Sequence, residues 1–188
     1  MKIKLTNVRL AFPVLWTAKN VNGEGEPAFS ASFIFAKDDR KNINLVQNAI
    51  EIVGKEKFGA KWAAIKKDCE AKDKLALHDG DLKAEYAGFE GNFYVSARNK
   101  TRPPVFDADK SILVEADGKP YGGCYVNAVV EIWAQDNKFG KRVNASLGGV
   151  QFYRDGDAFA GGGVANEDDF DDLSDTGEAK DDDNDLCY

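Results

Sequence analysis

The stretch Tyr121-Gly-Gly-Cys-Tyr-Val-Asn-Ala-Val-Val-Glu-Ile-Trp-Ala134 decides how this chain folds. From Cys124 to Ala134, Val126, Ala128, Val130 and Ile132 fall on alternate positions, and Tyr125, Asn127, Val129, Glu131 and Trp133 fill the others. A period of two sustained over that length is the pattern of a β-strand with one face in a core. Working outward, Val143 to Arg154 reads as a final strand interrupted at Gly148-Gly149, where a bulge or a barrel bend is expected. On the other side, Asn92 to Lys100 alternates Phe93, Val95 and Ala97 against Tyr94, Ser96 and Arg98. Arg102-Pro103-Pro104 ends that strand, because prolines cannot donate to a ladder.

The N-terminal half adds two more strands and a helical insertion. Lys2 to Leu10 places Ile3 and Leu5 on one face and is expected to break at Phe12-Pro13. Ala28 to Ala36 places Phe29, Ala31, Phe33 and Phe35 on one face, and the two strands should pair around the turn-rich loop Asn20 to Pro27. Asp38-Asp39 offers an N-cap to a helix carrying Ile43, Val46, Ala49, Ile50 and Val53 and ending at Gly54. A second helix over about Ala60 to Ala71 puts Trp62, Ile65 and Cys69 on one face. His78-Asp-Gly-Asp81 reads as a turn. The result is a mainly β, α+β chain: a small closed or partly closed barrel over residues 1–160, with a helical insertion at about 39–75.

Charge divides the chain differently. Val164 to Tyr188 holds eleven of the 32 Asp/Glu and, in Lys180, one of the 25 Lys/Arg, so it carries −10 while residues 1–163 carry +3. Such a segment cannot bury enough apolar surface to offset its ordering entropy, so residues 161–188 are expected to be a disordered acidic tail. Solubility alone gives no reason for Phe170 among the first carboxylates (Asp168, Asp169), or for Leu186 and Tyr188 after Asp181, Asp182 and Asp183. A polyanion tethered to a basic body can cover that body's own cationic surface or reach a basic partner.

Several classes are disfavoured. No run approaches the roughly 20 apolar residues of a membrane span, and the charged N-terminus is a poor signal-peptide core. Cys69, Cys124 and Cys187 are odd in number and widely spaced, which points to a reducing compartment and no structural zinc. One histidine, His78, leaves imidazole-based metal sites and nucleophilic triads without parts. Asp79-Gly-Asp81 and Asp107-Ala-Asp109 are carboxylate pairs of the kind a metal-dependent nuclease needs, but turn chemistry explains both. The glycines at Gly23-x-Gly25 and Gly161–Gly163 lack the Lys-Ser/Thr of a phosphate loop. No enzyme, cofactor or metal is expected.

Tyr94, Ser96, Arg98, Lys100 and Arg102 form a row of aromatic, small and basic side chains. That pairing suits single-stranded nucleic acid, with cations tracking phosphates and rings stacking on bases. Tyr125 and Trp133 are expected to extend the platform from a neighbouring strand, with Lys141, Arg142 and Arg154 adding charge. Packing of these rings against the helical insertion is the competing reading. The lysines of the insertion are interleaved with Glu51, Glu56, Asp68, Glu70 and Asp73 and read as an ion-paired solvent face.

Several blocks resemble a phage family of single-stranded DNA-binding proteins. They are His78-Asp-Gly-Asp81, Tyr86 to Arg98, Arg102-Pro-Pro-Val-Phe-Asp107, Tyr121 to Ala128, and Leu147-Gly-Gly-Val-Gln-Phe-Tyr-Arg-Asp-Gly-Asp157 followed by the glycines and acidic stretch. The resemblance implies an OB-fold-like five-stranded barrel that coats single-stranded DNA in phage replication and recombination, in the cytoplasm of the infected bacterial host. It also implies a tail that competes with DNA for the groove and contacts replication or recombination proteins, with Tyr188 as the terminal aromatic. Lys138-Phe-Gly-Lys-Arg-Val143 departs from the plainer turn expected there. Weaker double-stranded binding and a homodimer stay open. So do two alternatives: a polyanion mimic that inhibits a DNA-binding enzyme, and an RNA-binding barrel.

Overall fold

The computed structural model describes residues 1–21 and 24–159; the tail expectations lie outside the described residues. The described residues form seven strands: β1 (Lys2–Val21), β2 (Glu24–Ala36), β3 (His78–Asp79), β4 (Asn92–Asn99), β5 (Val105–Phe106), β6 (Tyr125–Asn137) and β7 (Gly140–Arg154). Five close into a barrel in the cyclic order β1–β2–β4–β7–β6, while β3 and β5 extend its edges. All contacts around the ring are antiparallel except β4–β7, a parallel pairing at Ala97 and Ala145. The interior is filled by the alternating apolar set: Leu5, Val8, Leu10, Phe33, Val95, Val126, Val130, Ile132 and Leu147 are essentially inaccessible. Each such side chain contributes roughly 1.5–3 kcal/mol by leaving water.

Phe12-Pro13 does not end β1. The strand runs on to Val21, and the irregularity is absorbed by bulges, one between Leu5 and Val8 and one between Ala11 and Val14. Asn7 and Phe12 take φ of +52° and +47° there. Bulges bend and twist a strand, which lets β1 pair with β6 along its first half and β2 along its second. At Gly148 the expected bulge is present: Val129 pairs with Gly149 and Val130 with Leu147.

The insertion forms α1 (Arg40–Phe58) and α2 (Trp62–Ala71), joined by one 3₁₀ turn. Asp39 caps α1, its carboxylate accepting from the Asn42 amide. Buried Asn42 ties that first turn to β1, donating to the Thr6 carbonyl at 3.0 Å and accepting from the Thr6 amide at 3.1 Å. Ile43, Val46, Ala49 and Ile50 face the barrel interior and join its core. The helix does not stop at Gly54 but continues to Phe58. Gly54 is instead where Trp62 of α2 lies against α1: a Cβ there would sit 2.3 Å from the indole. On the outer side Lys72 pairs with Asp68 one turn away, as the spacing predicts, and Lys66 of α2 reaches across to Glu51 of α1.

Gly54→Ala should therefore destabilise the fold by about 1–3 kcal/mol, the usual cost of overpacking a fitted core. A urea midpoint equal to that of the parent protein would show that Trp62 moves aside freely.

Candidate nucleic-acid interface

The parallel pairing of β4 with β7 brings two distant segments of sequence side by side. Ala97 and Ala145 point inward, so Arg98 on β4 and Asn144 and Ser146 on β7 point outward. Asn99 staples the junction by donating to the Leu147 carbonyl at 2.9 Å. Above it lies a groove of about 1030 Å³ between β4, the β6–β7 hairpin and the segment after α2. Its charged walls are Arg98, Lys100 and Arg142 against one carboxylate, Glu26.

Glu26 lies close to two of those cations. Arg98 donates to the Glu26 carbonyl at 2.6 Å, and Lys100 forms an ion pair with the Glu26 carboxylate. The Lys100 hydrogen bond holds that carboxyl below its ordinary range. Arg142 has no ion-pair partner among the described residues. Two exposed rings complete the groove. Trp133 is 41% accessible, its indole N–H donating to Ser146 Oγ at 2.9 Å. Phe139, at the tip of the β6–β7 hairpin, is 74% accessible. Cations for phosphates and oriented rings for bases are the two components of single-strand recognition.

Of the nine residues singled out from sequence, Arg98, Lys100, Trp133 and Arg142 line this groove together. The others are elsewhere. Lys141 pairs with Asp136 at 2.7 Å and lies over the Phe58 ring. Arg102 stacks on Trp16, its guanidinium 5.4 Å from the ring centroid. Tyr125 and Arg154 form a pair of their own at 3.6 Å, eight residues along β6 from Trp133, a separation of ~26 Å.

Tyr94 is a correction. It is 2% accessible and packs with Ala11, Ile34 and Phe89, with His78 stacked on it at 5.0 Å. The reason is the segment from His78 to Phe89, whose side chains cover the outer side of β4 at that level: Lys83 lies 5.1 Å over the ring and Phe89 packs edge-on to it at 5.0 Å. Burial pushes its phenol up to about 12. A second correction concerns the platform: β6 does not neighbour β4, because β7 lies between them.

Ser146 escaped the sequence reading, and Phe139 stood within the unusually basic and aromatic Lys138–Val143 turn without being among the nine. Phe139 had a signal: an aromatic in the two-residue loop of a hairpin has no core within reach. The two carboxylate pairs are engaged, Asp79 and Asp81 with Lys37 at 2.8 and 2.5 Å, and Asp107 with Lys119 at 2.7 Å.

A closed five-stranded barrel with a cationic, aromatic-lined groove belongs to the class of OB-type nucleic-acid-binding barrels. Within that class, the chain belongs to the family of the ssDNA-binding protein of Enterobacter phage Enc34, whose family model matches residues 1–186. It is 50% identical over 176 residues to "Putative protein p50" of Acyrthosiphon pisum secondary endosymbiont phage 1, covering 93% of this chain and 95% of that one. The fold matches the single-stranded DNA-binding protein from bacteriophage Enc34, solved in complex with ssDNA, with TM-score 0.71 and 30% identity. That match covers 84% of this chain and 88% of the other. The single-stranded DNA binding protein gp2.5 of bacteriophage T7 shares the fold alone, at TM-score 0.53 and 14% identity over 81% of this chain and 91% of that one. The family is a non-enzymatic class.

Removing the Tyr94 hydroxyl should leave any groove function intact, since the ring is buried. Below pH about 10 the phenol is neutral whether folded or unfolded. Between that value and the folded value of about 12 the unfolded chain ionises first, so stability falls as pH rises. Tyr94→Phe should lose stability less steeply across this window, as read by thermal melts at stepped pH. Identical slopes would mean the phenol is solvated.

Proposed function

We propose that this chain binds single-stranded DNA without sequence preference, in the groove between β4 and the β6–β7 hairpin. The observation that carries this reading is the convergence of Arg98, Lys100 and Arg142 with Trp133 and Phe139 in one groove. Arg98, Lys100 and Arg142 hold phosphates; Trp133 and Phe139 offer faces on which bases stack. None of these contacts reads a base edge, so the binding is sequence-tolerant. Glu26 has to release Lys100 as a phosphate arrives, an exchange between exposed charges that costs little.

Tyr125 with Arg154, and Arg102 with Trp16, each pair a cation with a ring and are secondary contacts for a longer strand. Residues 1–160 form the binding body. Residues 161–188 act as a polyanion that covers the groove when DNA is absent and recruits replication or recombination proteins through Leu186 and Tyr188. The working place is the cytoplasm of an infected bacterium, where the protein coats single strands in replication and recombination. Duplex DNA, which offers phosphates without free base faces, binds more weakly, and two copies pair as a homodimer.

The experiment is fluorescence anisotropy of labelled oligonucleotides at two salt concentrations. Arg98→Ala should weaken binding to every sequence alike and lower the salt slope by about 1. Trp133→Ala should cost about 1–3 kcal/mol, the worth of one stacked base. Full affinity in both variants would place the site elsewhere on the barrel. A protein ending at Asn166 should bind more tightly than the full chain, and most clearly at low salt, because the competing carboxylates are gone. Equal or weaker binding after truncation would rule out masking.

A further inference from the structure

A second groove lies on the outer face of β6 and shares no lining residue with the first. It has a volume of about 400 Å³ and a floor of Pro104, Phe106, Val129 and Val150. It exists because the bulge on β7 falls at Gly148-Gly149, where the strand supplies no side chains. The loop after β5 continues the apolar surface, with Ile112 77% and Val114 52% accessible. A contiguous apolar patch on a soluble body marks an interaction surface. Lys4 and Lys110 stand on its rim, and neither has an ion-pair partner among the described residues. The neighbouring acids are engaged: Asp107 with Lys119 at 2.7 Å, and Asp109 accepting from the Ser111 hydroxyl at 2.6 Å. Glu131 lies across the β1–β6 ladder from Lys2.

We propose that this groove docks the Phe170–Leu173 segment of the same chain. The chemistry matches. Asp168-Asp-Phe170-Asp-Asp-Leu173 sets two apolar side chains three residues apart among four carboxylates. Phe170 and Leu173 fit the apolar floor, and the carboxylates fit Lys4 and Lys110.

Position argues for docking within one molecule. The last described segment is clasped to the barrel beside Tyr125. The Phe159 amide donates to the Gly122 carbonyl at 3.1 Å, and Arg9 donates to the Asp157 carbonyl at 2.7 Å while lying 4.2 Å over the Phe159 ring. Tyr121 donates to Asp155 at 2.8 Å. The approach is close enough that a Cβ on Gly123 would stand 2.2 Å from the Asp157 oxygen. Tyr125 and Val129 point to the same outer side of β6, ~13 Å apart. The eleven residues from Phe159 to Phe170 reach up to ~37 Å. The segment therefore reaches this groove with slack, at an effective concentration on the order of millimolar. Trp133 and the cationic groove are about twice as far along the strand. Docking here does not depend on the DNA-binding reading. If that reading holds, it also stages the tail: Asp181 to Asp183 lie eight to ten residues beyond Leu173 and reach ~26–33 Å, enough to come over the cationic groove.

The test uses the full chain, ¹⁵N-labelled, with Cys187→Ser and a nitroxide on Ser174→Cys. The remaining Cys69 and Cys124 are buried, and burial raises both thiols, so neither takes the label. Amide signals of Lys4, Phe106, Val129 and Gly149 should be lost to broadening. They should return in the Lys4→Glu/Lys110→Glu double variant and in Phe170→Ser/Leu173→Ser. Broadening centred on Arg98 and Ser146, spread evenly over the surface, or persisting in both double variants would overturn the proposal. A mixture of nitroxide-labelled ¹⁴N protein with unlabelled ¹⁵N protein identifies the donor. Broadening in that mixture would assign the groove to a second copy and overturn docking within one chain.

Discussion

The parallel contact between β4 and β7 is the constraint on which the rest of the structure depends. One residue pair, Ala97 with Ala145, closes the barrel. Both are small and buried, which lets the backbones approach, and Asn99 secures the contact from the flank. Without that closure the sheet would end in two open edges, each with unpaired amides and carbonyls. Interior residues such as Val95 and Leu147, both fully buried, would lose the neighbours that cover them. The same contact sets Arg98 and Lys100 across from Arg142, so core closure and groove assembly are one event.

The bulges matter for a related reason. A regular strand as long as β1 would be too straight to pair with β6 at one end and β2 at the other around a barrel this small. Positive φ at Asn7 and Phe12 bends it at two places. The bend at Phe12 also turns that ring out, edge-on to Tyr86 at 5.1 Å, beside the buried Phe89–Tyr94 cluster. On β7, the bulge at Gly148 opens the outer hollow. Irregularities in otherwise regular strands thus shape both faces of the barrel, inside through curvature and outside through missing side chains.

The groove near Trp133 and the clasped segment near Tyr125 occupy opposite ends of β6. Long antiparallel pairing with β7 holds those ends apart. Under the proposed masking, a polyanion rooted at one end would reach the other through its contour length, so substitutions at the two ends would alter binding and masking separately.

The alternation of Val126, Ala128, Val130 and Ile132, the Asp39 cap, the Gly148 bulge and the acidic C-terminal composition were all legible from residue order, because each is a local property of spacing. The strand-rich barrel and the helical insertion followed from them, and four of the nine selected residues do share a groove. Tyr94 was misplaced because alternation tells which side of a strand a residue takes, and not whether another segment covers that side; side chains of the turn-rich His78–Phe89 stretch cover it. Phe12-Pro13 and Gly54 looked like stops because proline and glycine break isolated elements, yet here β-pairing absorbed one and the Trp62 indole required the other. Strand order was likewise invisible: that β7 rather than β6 neighbours β4 depends on contacts between residues some fifty positions apart. The sequence by itself determined the elements, the core-facing residues and the charge division. Only the tertiary structure decided which cations and rings meet, because closing a barrel is a cooperative, long-range choice that no local pattern encodes.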